Sequence, residues 1–263
     1  MSKVPPLPPE PTFPSKVVDR ARARFYRELL RELQTGGGMT VASLTDSARP
    51  TACTTKLVSS IQELLVGISD RRRNAPNRAA KIIDGLLITG RAGVDLGAGL
   101  APWSIALART LPDLRIVAVD LPHALGPLRK AILDADLDDR FELVGRDMLR
   151  DDMRSPASFD FAIIANVAHL LSESDLRRFV SASVELLRPG GVLAVIDQLL
   201  DDHPDWVRWC SLYAVGAPLW MPGGTLYTER ELQNILADAG CHWIGAWQLS
   251  PLPALSLLAA RRK

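Results

Sequence analysis

Gly93-Val94-Asp95-Leu96-Gly97-Ala98-Gly99-Leu100-Ala101-Pro102-Trp103-Ser104 decides how the rest of the chain is read. An apolar strand, Ala92 to Leu96, runs into a glycine-rich turn. Pro102 falls in the first turn of the helix that must follow, where its missing N–H would have had no partner anyway. Gly97 and Gly99 carry no Cβ, so the backbone can turn tightly and come close to a ligand. The order suits a nucleotide-type turn; an ordinary tight strand-to-helix turn is the plainer alternative. A dinucleotide fingerprint, G-x-G-x-x-G/A, fails at its last position, Pro102. A Walker loop needs Lys-Ser/Thr after the glycines, and none is there. What remains is an acid two residues before the first glycine, Asp95, in the order D-x-G-x-G.

Outward from this turn the chain alternates strand and helix, the pattern of an α/β fold with a parallel sheet. Strands are expected at Ala92–Leu96, Arg115–Val119, Phe141–Val144, Phe159–Ala165 and Val192–Asp197. Two more are expected at His242–Leu249 and Ala254–Ala260. Helices are expected at Arg78–Leu87, begun by Asn74, and at Pro102–Thr110, Ala124–Ala135, Glu173–Leu187 and Glu229–Ala239, with Gly240 closing the last. Arg188-Pro189-Gly190-Gly191 reads as a turn into the fifth strand. The expected architecture is a doubly wound, Rossmann-like, mostly parallel seven-stranded sheet, with its ligand at the C-terminal strand edges. Upstream, residues 1–14 hold six prolines and read as a disordered tail. Residues 15–75 read as a helical extension, a dimer arm or active-site roof. Residues 76–263 form the main domain.

Composition narrows the partners. The chain has 263 residues, 47% hydrophobic and 23% charged, with 31 basic and 30 acidic residues and a formal net charge of +1. No strong field argues for nucleic acid or an anionic membrane surface. Three scattered cysteines make no disulfide framework and no metal spacing, so no metal is expected. No signal peptide and no apolar run of the ~18–20 residues needed to span a bilayer is evident. The expectation is a cytoplasmic enzyme with a small-molecule substrate.

Asp120 ends the second strand about twenty residues past the glycine turn, where a carboxylate can accept two hydrogen bonds from a ribose diol. A helix cap is the alternative. His169 lies just past the fourth strand, at the edge where ligands sit, and imidazole's ordinary pKa near ~6.5 suits a base at neutral pH. Asp197 ends the fifth strand; it either orients His169 through one ring nitrogen or caps the next loop. Trp206, Trp209, Cys210, Tyr213, Trp220 and Met221 cluster within 201–228. They are either core or an apolar lid over a flat substrate.

These segments resemble a known family. D-x-G-x-G after the first strand resembles the first motif of class I S-adenosylmethionine (SAM) methyltransferases, with Ala101 where a third glycine is common. Val119-Asp120-Leu121-Pro122-His123 is similar to the matching segment of small-molecule O-methyltransferases of the plant phenolic and bacterial polyketide and pigment type. Gly145-Arg146-Asp147-Met148 resembles the family's G-D-M segment, with Arg146 where glycine is commoner. Asn166-Val167-Ala168-His169 resembles the segment that carries its general base. Gly223-Gly224-Thr225-Leu226-Tyr227-Thr228 resembles its lead-in to the last helix.

The resemblance, over about 90–263, implies a set of roles. Asp95, Gly97, Gly99, Asp120, Leu121, Asp147, Met148 and Asn166 would bind SAM, with Asp147 at the adenine amine and Met148 on its ring. His169 would be the base and Asp197 its orienting acid. Trp206, Cys210, Tyr213, Trp220 and Met221 would meet the substrate. Met221 and Leu226 replace an Asn and an acid of the plant enzymes, so the plant substrate class does not carry over. The N-terminal region is short against a family that carries a longer helical and winged domain, and dimerisation is expected by resemblance alone. The expected reaction is SAM-dependent methylation of a hydroxyl on a small aromatic or polycyclic natural product, as in antibiotic biosynthesis. The alternatives are N-methylation, a relative using SAM structurally for decarboxylation, hydroxylation or cyclisation, and a non-enzymatic partner protein that kept the sheet.

Overall fold

The computed structural model describes residues 74–87, 92–151, 158–200, 224–250 and 255–263. The expected Pro-rich tail, the helical extension up to residue 73, and Trp206, Trp209, Cys210, Tyr213, Trp220 and Met221 lie outside the described residues. In chain order the elements are α1 (Ala75–Leu86), β1 (Ala92–Leu96), α2 (Pro102–Thr110), β2 (Arg115–Asp120), α3 (Leu125–Leu133) and β3 (Phe141–Gly145). They continue with β4 (Phe159–Ala165), α4 (Glu173–Glu185), β5 (Leu187–Gln198), α5 (Glu229–Asp238), β6 (Cys241–Ser250) and β7 (Leu255–Arg262). The strands form one seven-stranded sheet in the order β3-β2-β1-β4-β5-β7-β6. β1 to β5 are parallel, and β7 inserts antiparallel between β5 and β6. All five parallel strands therefore end along one edge, with the order reversing at β1 and β4. That switch point is where a crevice opens in such sheets.

The apolar runs explain the layers. Phe161, Ala162, Ile163 and Ile164 of β4 are fully buried, as a strand covered on both faces requires. On one face Ile83, Leu107 and Leu128 of α1, α2 and α3 join Ile116, Ile163, Ile196 and Leu257 in one core. On the other, Leu176 and Val180 of α4 and Leu232 and Leu236 of α5 join Leu96, Ile164, Leu193 and Leu258. Each such side chain contributes roughly 1.5–3 kcal/mol of burial. Gly93 opposes Phe161 across the β1–β4 pair, and a Cβ there would lie 2.0 Å from the ring. The missing side chain lets Phe161 lie across the strand.

Most boundaries agree with expectation, and the differences have local causes. α1 starts at Ala75, directly after Asn74, where the sequence begins it, and Pro76 is harmless in its first turn. α3 ends at Leu133 rather than Ala135: Asp136 turns left-handed at φ +55, and Leu137 N–H bonds back to Ile132 O. α4 ends at Glu185, short of the expected Leu187, because β5 already begins at Leu187. Arg188 to Gly191 are not a turn before β5 but a bulge within it. Leu187 pairs with Phe159 and Val192 with Phe161, so the extra residues loop out, with Gly190 at φ +80. The caps behave as the sequence implies. Thr228 and Glu231 form a capping box on α5, and Gly240 at φ +85 closes it. No helix among the described residues is long and apolar enough to cross a membrane.

Candidate functional site

A cavity of about 600 Å³ opens at the carboxyl edge of the sheet, over the tips of β1, β2 and β4. That volume is in the range of small-molecule and cofactor sites. Gly97, Gly99, Asp120, Leu121, Asp147, Met148 and Asn166 all line it.

The floor is the glycine turn. Gly97 and Gly99 have φ of +75 and +58, the region that favours glycine. A Cβ on Gly97 would stand 2.6 Å from Val167 Cγ2 and 3.3 Å from Met148 Cε, so a side chain would fill the cradle. Ala101, in place of the third glycine, is also left-handed at φ +55 and fully buried. Asp120 ties the turn from β2: Gly99 N–H donates to its Oδ2 at 2.7 Å and Leu121 N–H to its Oδ1 at 2.7 Å. Each oxygen keeps a lone pair for a further donor. Asp120 is thus a half-buried brace of the turn with acceptor capacity left toward the cavity, and it caps none of the helices that follow.

Asp147 follows β3 and accepts from Leu149 N–H at 3.0 Å, with Arg150 Nε 3.5 Å from its other oxygen. Gly145, just before, is a crowded position: a Cβ there would lie 3.0 Å from Leu125 Cδ1. Asn166 leaves β4 in a left-handed turn at φ +56, and its N–H donates to Ile196 O at 2.8 Å. Its side-chain Oδ1 is buried without a hydrogen-bond partner. Buried acceptors are nearly always paired, so this one marks a place for a donor.

His169 and Asp197 are buried and do not line the cavity. Leu170 and Leu171, next to His169, do line it. His169 Nδ1 is 2.6 Å from Asp197 Oδ1, with both side chains almost fully buried. Asp197 also accepts His169 N–H at 3.1 Å and Gln198 N–H at 2.7 Å, while Thr225 N–H donates to His169 O at 3.0 Å. With Nδ1–H donating to the carboxylate, the neutral ring carries its lone pair on Nε2. From the other side Tyr227 O–H donates to Leu171 O at 2.8 Å; burial pushes its phenol above its ordinary pKa and keeps it a donor.

Asp95 is placed differently from the other expected ligand residues. It lies under α2, outside the cavity lining, 1% exposed. Ser104 O–H donates to its Oδ2 at 2.5 Å, and Oδ1 is buried with no partner. Burial pushes its carboxyl up to about 7, the Ser104 hydroxyl pulling down and the Asp120 charge adding a further rise. Its side chain supports the turn from beneath.

A sequence model of the O-methyltransferase domain matches residues 77–242. The chain belongs to that family. Among curated relatives, 3-hydroxy-5-methyl-1-naphthoate 3-O-methyltransferase of Streptomyces sahachiroi is 28% identical over 148 residues, covering 56% of this chain and 42% of that protein. Aclacinomycin 10-hydroxylase of Streptomyces purpurascens is 26% identical over 147 residues, covering 56% of this chain and 38% of its own length. The match to these relatives thus spans about two-fifths of their length. The crystal structure of an O-methyltransferase family 2 protein from Planctomyces limnophilus in complex with apigenin superposes with a TM-score of 0.66 at 23% identity. The overlap covers 85% of this chain and 70% of that one. At that identity the likeness concerns the fold.

Against this O-methyltransferase family background, several lining residues carry no motif. Leu100, Trp103, Leu149, Ala165, Leu170 and Phe179 also line the cavity. Of these, Trp103 comes from α2 and Phe179 from α4. No sequence signal marks them; in the folded chain Leu100, Leu149 and Leu170 are large apolar side chains left in water.

Proposed function

We propose that this member of the O-methyltransferase domain family transfers a methyl group from SAM to a hydroxyl of a small aromatic natural product, with His169 as general base. The observation that carries the reading is the buried His169–Asp197 pair, 2.6 Å apart, next in the chain to the cavity-lining Leu170 and Leu171. Two features suit the cofactor: the Gly97 cradle that a Cβ would fill, and the unpartnered Asn166 Oδ1. Asp120 would hold the ribose hydroxyls, Leu121, Asp147 and Met148 the adenine side, and Asn166 a donor of the methionyl part. When bound, SAM supplies an electrophilic methyl on a sulfonium.

The remaining chemistry belongs to the chain. Nε2 of His169 takes the hydroxyl proton as the oxygen becomes a nucleophile, and Asp197 stabilises the imidazolium through Nδ1–H. A placed base contributes roughly 10²–10⁴-fold. Holding nucleophile and methyl in line can contribute about 7–11 kcal/mol. The apolar rim of Leu100, Leu149 and Leu170 suits a flat aromatic substrate, as does the naphthoate named for the Streptomyces sahachiroi relative. Residues 76–263 form the SAM-binding domain, and the family resemblance supports a homodimer.

A second reading rests on the aclacinomycin 10-hydroxylase relative: the fold and cofactor are kept while the reaction is not methyl transfer. One experiment separates the two. The full chain is incubated with SAM and a panel of hydroxynaphthoates, and S-adenosylhomocysteine is quantified. Methyl transfer yields one S-adenosylhomocysteine per product. His169→Ala then keeps cofactor affinity and loses about 99% of turnover or more. Undiminished turnover removes the base assignment, and product without S-adenosylhomocysteine selects the second reading.

A further inference from the structure

Beyond its N–H, which donates to Asp197, Gln198 has no part in the site described so far. It follows Asp197 at the carboxyl end of β5, so its side chain leaves the strand on the opposite face. That face also carries Ile196, which is in register with Ala165 of the cavity wall. One residue beyond Ala165 stands Asn166, tied through its N–H to Ile196 O. Gln198 is 6% exposed, and its Oε1 has no hydrogen-bond partner. Among the described residues only Asp95 Oδ1, Asn166 Oδ1 and Gln198 Oε1 are buried side-chain atoms in that condition. They sit at the carboxyl ends of β1, β4 and β5, three neighbouring strands. Unpaired buried acceptors are rare and costly, and those of Asn166 and Gln198, on adjoining strands, mark places for donors of a ligand. Asn166 lines the cavity beside the glycine turn and belongs with the cofactor, whereas Asp95 lies beneath the turn, outside the lining. Gln198 lies farthest from the turn in this row, and Asp197, its neighbour in the chain, faces the other side of the strand.

We infer that Gln198 is a substrate-recognition residue: its Oε1 accepts from a second O–H or N–H of the acceptor molecule, apart from the hydroxyl that is methylated. The inference rests on the methyl-transfer reading for the position of the acceptor. It narrows the substrate class to aromatics bearing at least two donors, because a site with a buried acceptor rejects an analogue that leaves it unpaired.

The test reads binding, so it does not depend on turnover. The full chain, saturated with S-adenosylhomocysteine, is titrated with a set of dihydroxynaphthalene isomers and with the two naphthols. The best diol should bind at least about tenfold more tightly than the better naphthol. In Gln198→Leu, which removes the acceptor, that ratio should fall to near one, and Gln198→Glu, which keeps an acceptor, should retain it. The Leu variant should also unfold at a higher temperature without ligand, which shows that it folds. A wild-type ratio near one, or a ratio unchanged in Gln198→Leu, overturns the inference. Failure of methyl transfer would appear separately, as no S-adenosylhomocysteine formed from SAM while the diol preference persists.

Discussion

Replacing Asp95 by Asn should stabilise the ligand-free protein, and by more at higher pH. The carboxyl is buried, has one bond from Ser104 and an unpaired second oxygen, and titrates at about 7 rather than 3.8. The unfolded chain releases this proton near 3.8, whereas the folded chain holds it to about 7. Over that interval the folded state binds more protons, so stability falls as pH rises and levels off above about 7. At 1.36 kcal/mol per pH unit the whole interval amounts to roughly 4 kcal/mol. Asn keeps an acceptor for Ser104 and cannot ionise. Its advantage over the wild type should therefore grow by roughly 2–3 kcal/mol between about pH 5 and about pH 8. Urea unfolding of both proteins across that range measures it directly. Parallel stability curves would refute the reasoning, because Asp95 would then titrate alike in both states.

Other substitutions probe separate parts of the account. Gly97→Ala forces a Cβ to 2.6 Å from Val167 at a left-handed φ; thermal unfolding should show a loss of roughly 1–3 kcal/mol. Asp197→Asn keeps the size but changes which nitrogen of His169 is protonated. Its turnover should fall roughly 10²–10⁴-fold with little change in cofactor affinity, as steady-state rates and calorimetry would show. Tyr227→Phe removes the bond to Leu171 O and should cost about 1 kcal/mol in denaturant unfolding. Gly93→Ala collides with the Phe161 ring and should cost about 1–3 kcal/mol, which Phe161→Leu in the same chain should partly restore.

The sheet was legible because its signals are local. Apolar runs of strand length, Pro102 at a helix start and Gly240 at a helix end each act within a few residues, and the structure follows them. The bulge at Arg188 to Gly191 was not legible: the same residues suit a free turn, and only pairing with Phe159 and Phe161 makes them part of β5. Gly97, Gly99, Asp120 and Asn166 could be placed at the site because strand ends and turns set their positions. Asp95 shares their motif, yet the packing of α2, through Ser104, holds its carboxyl beneath the turn. The leucines of the rim and Gln198 escaped for the opposite reason: no motif marks them, and exposure or an orphaned oxygen is a property of the folded chain only.

A calorimetric titration of the full chain with S-adenosylhomocysteine bears most directly on the claim that the glycine turn, braced by Asp120, cradles an adenosyl cofactor. Saturable binding at one site per chain is predicted, weakened at least about tenfold in Asp120→Ala because two hydroxyl contacts and the bond to Gly99 N–H are lost together. No binding by the wild-type chain, or equal affinity in the variant, would contradict it.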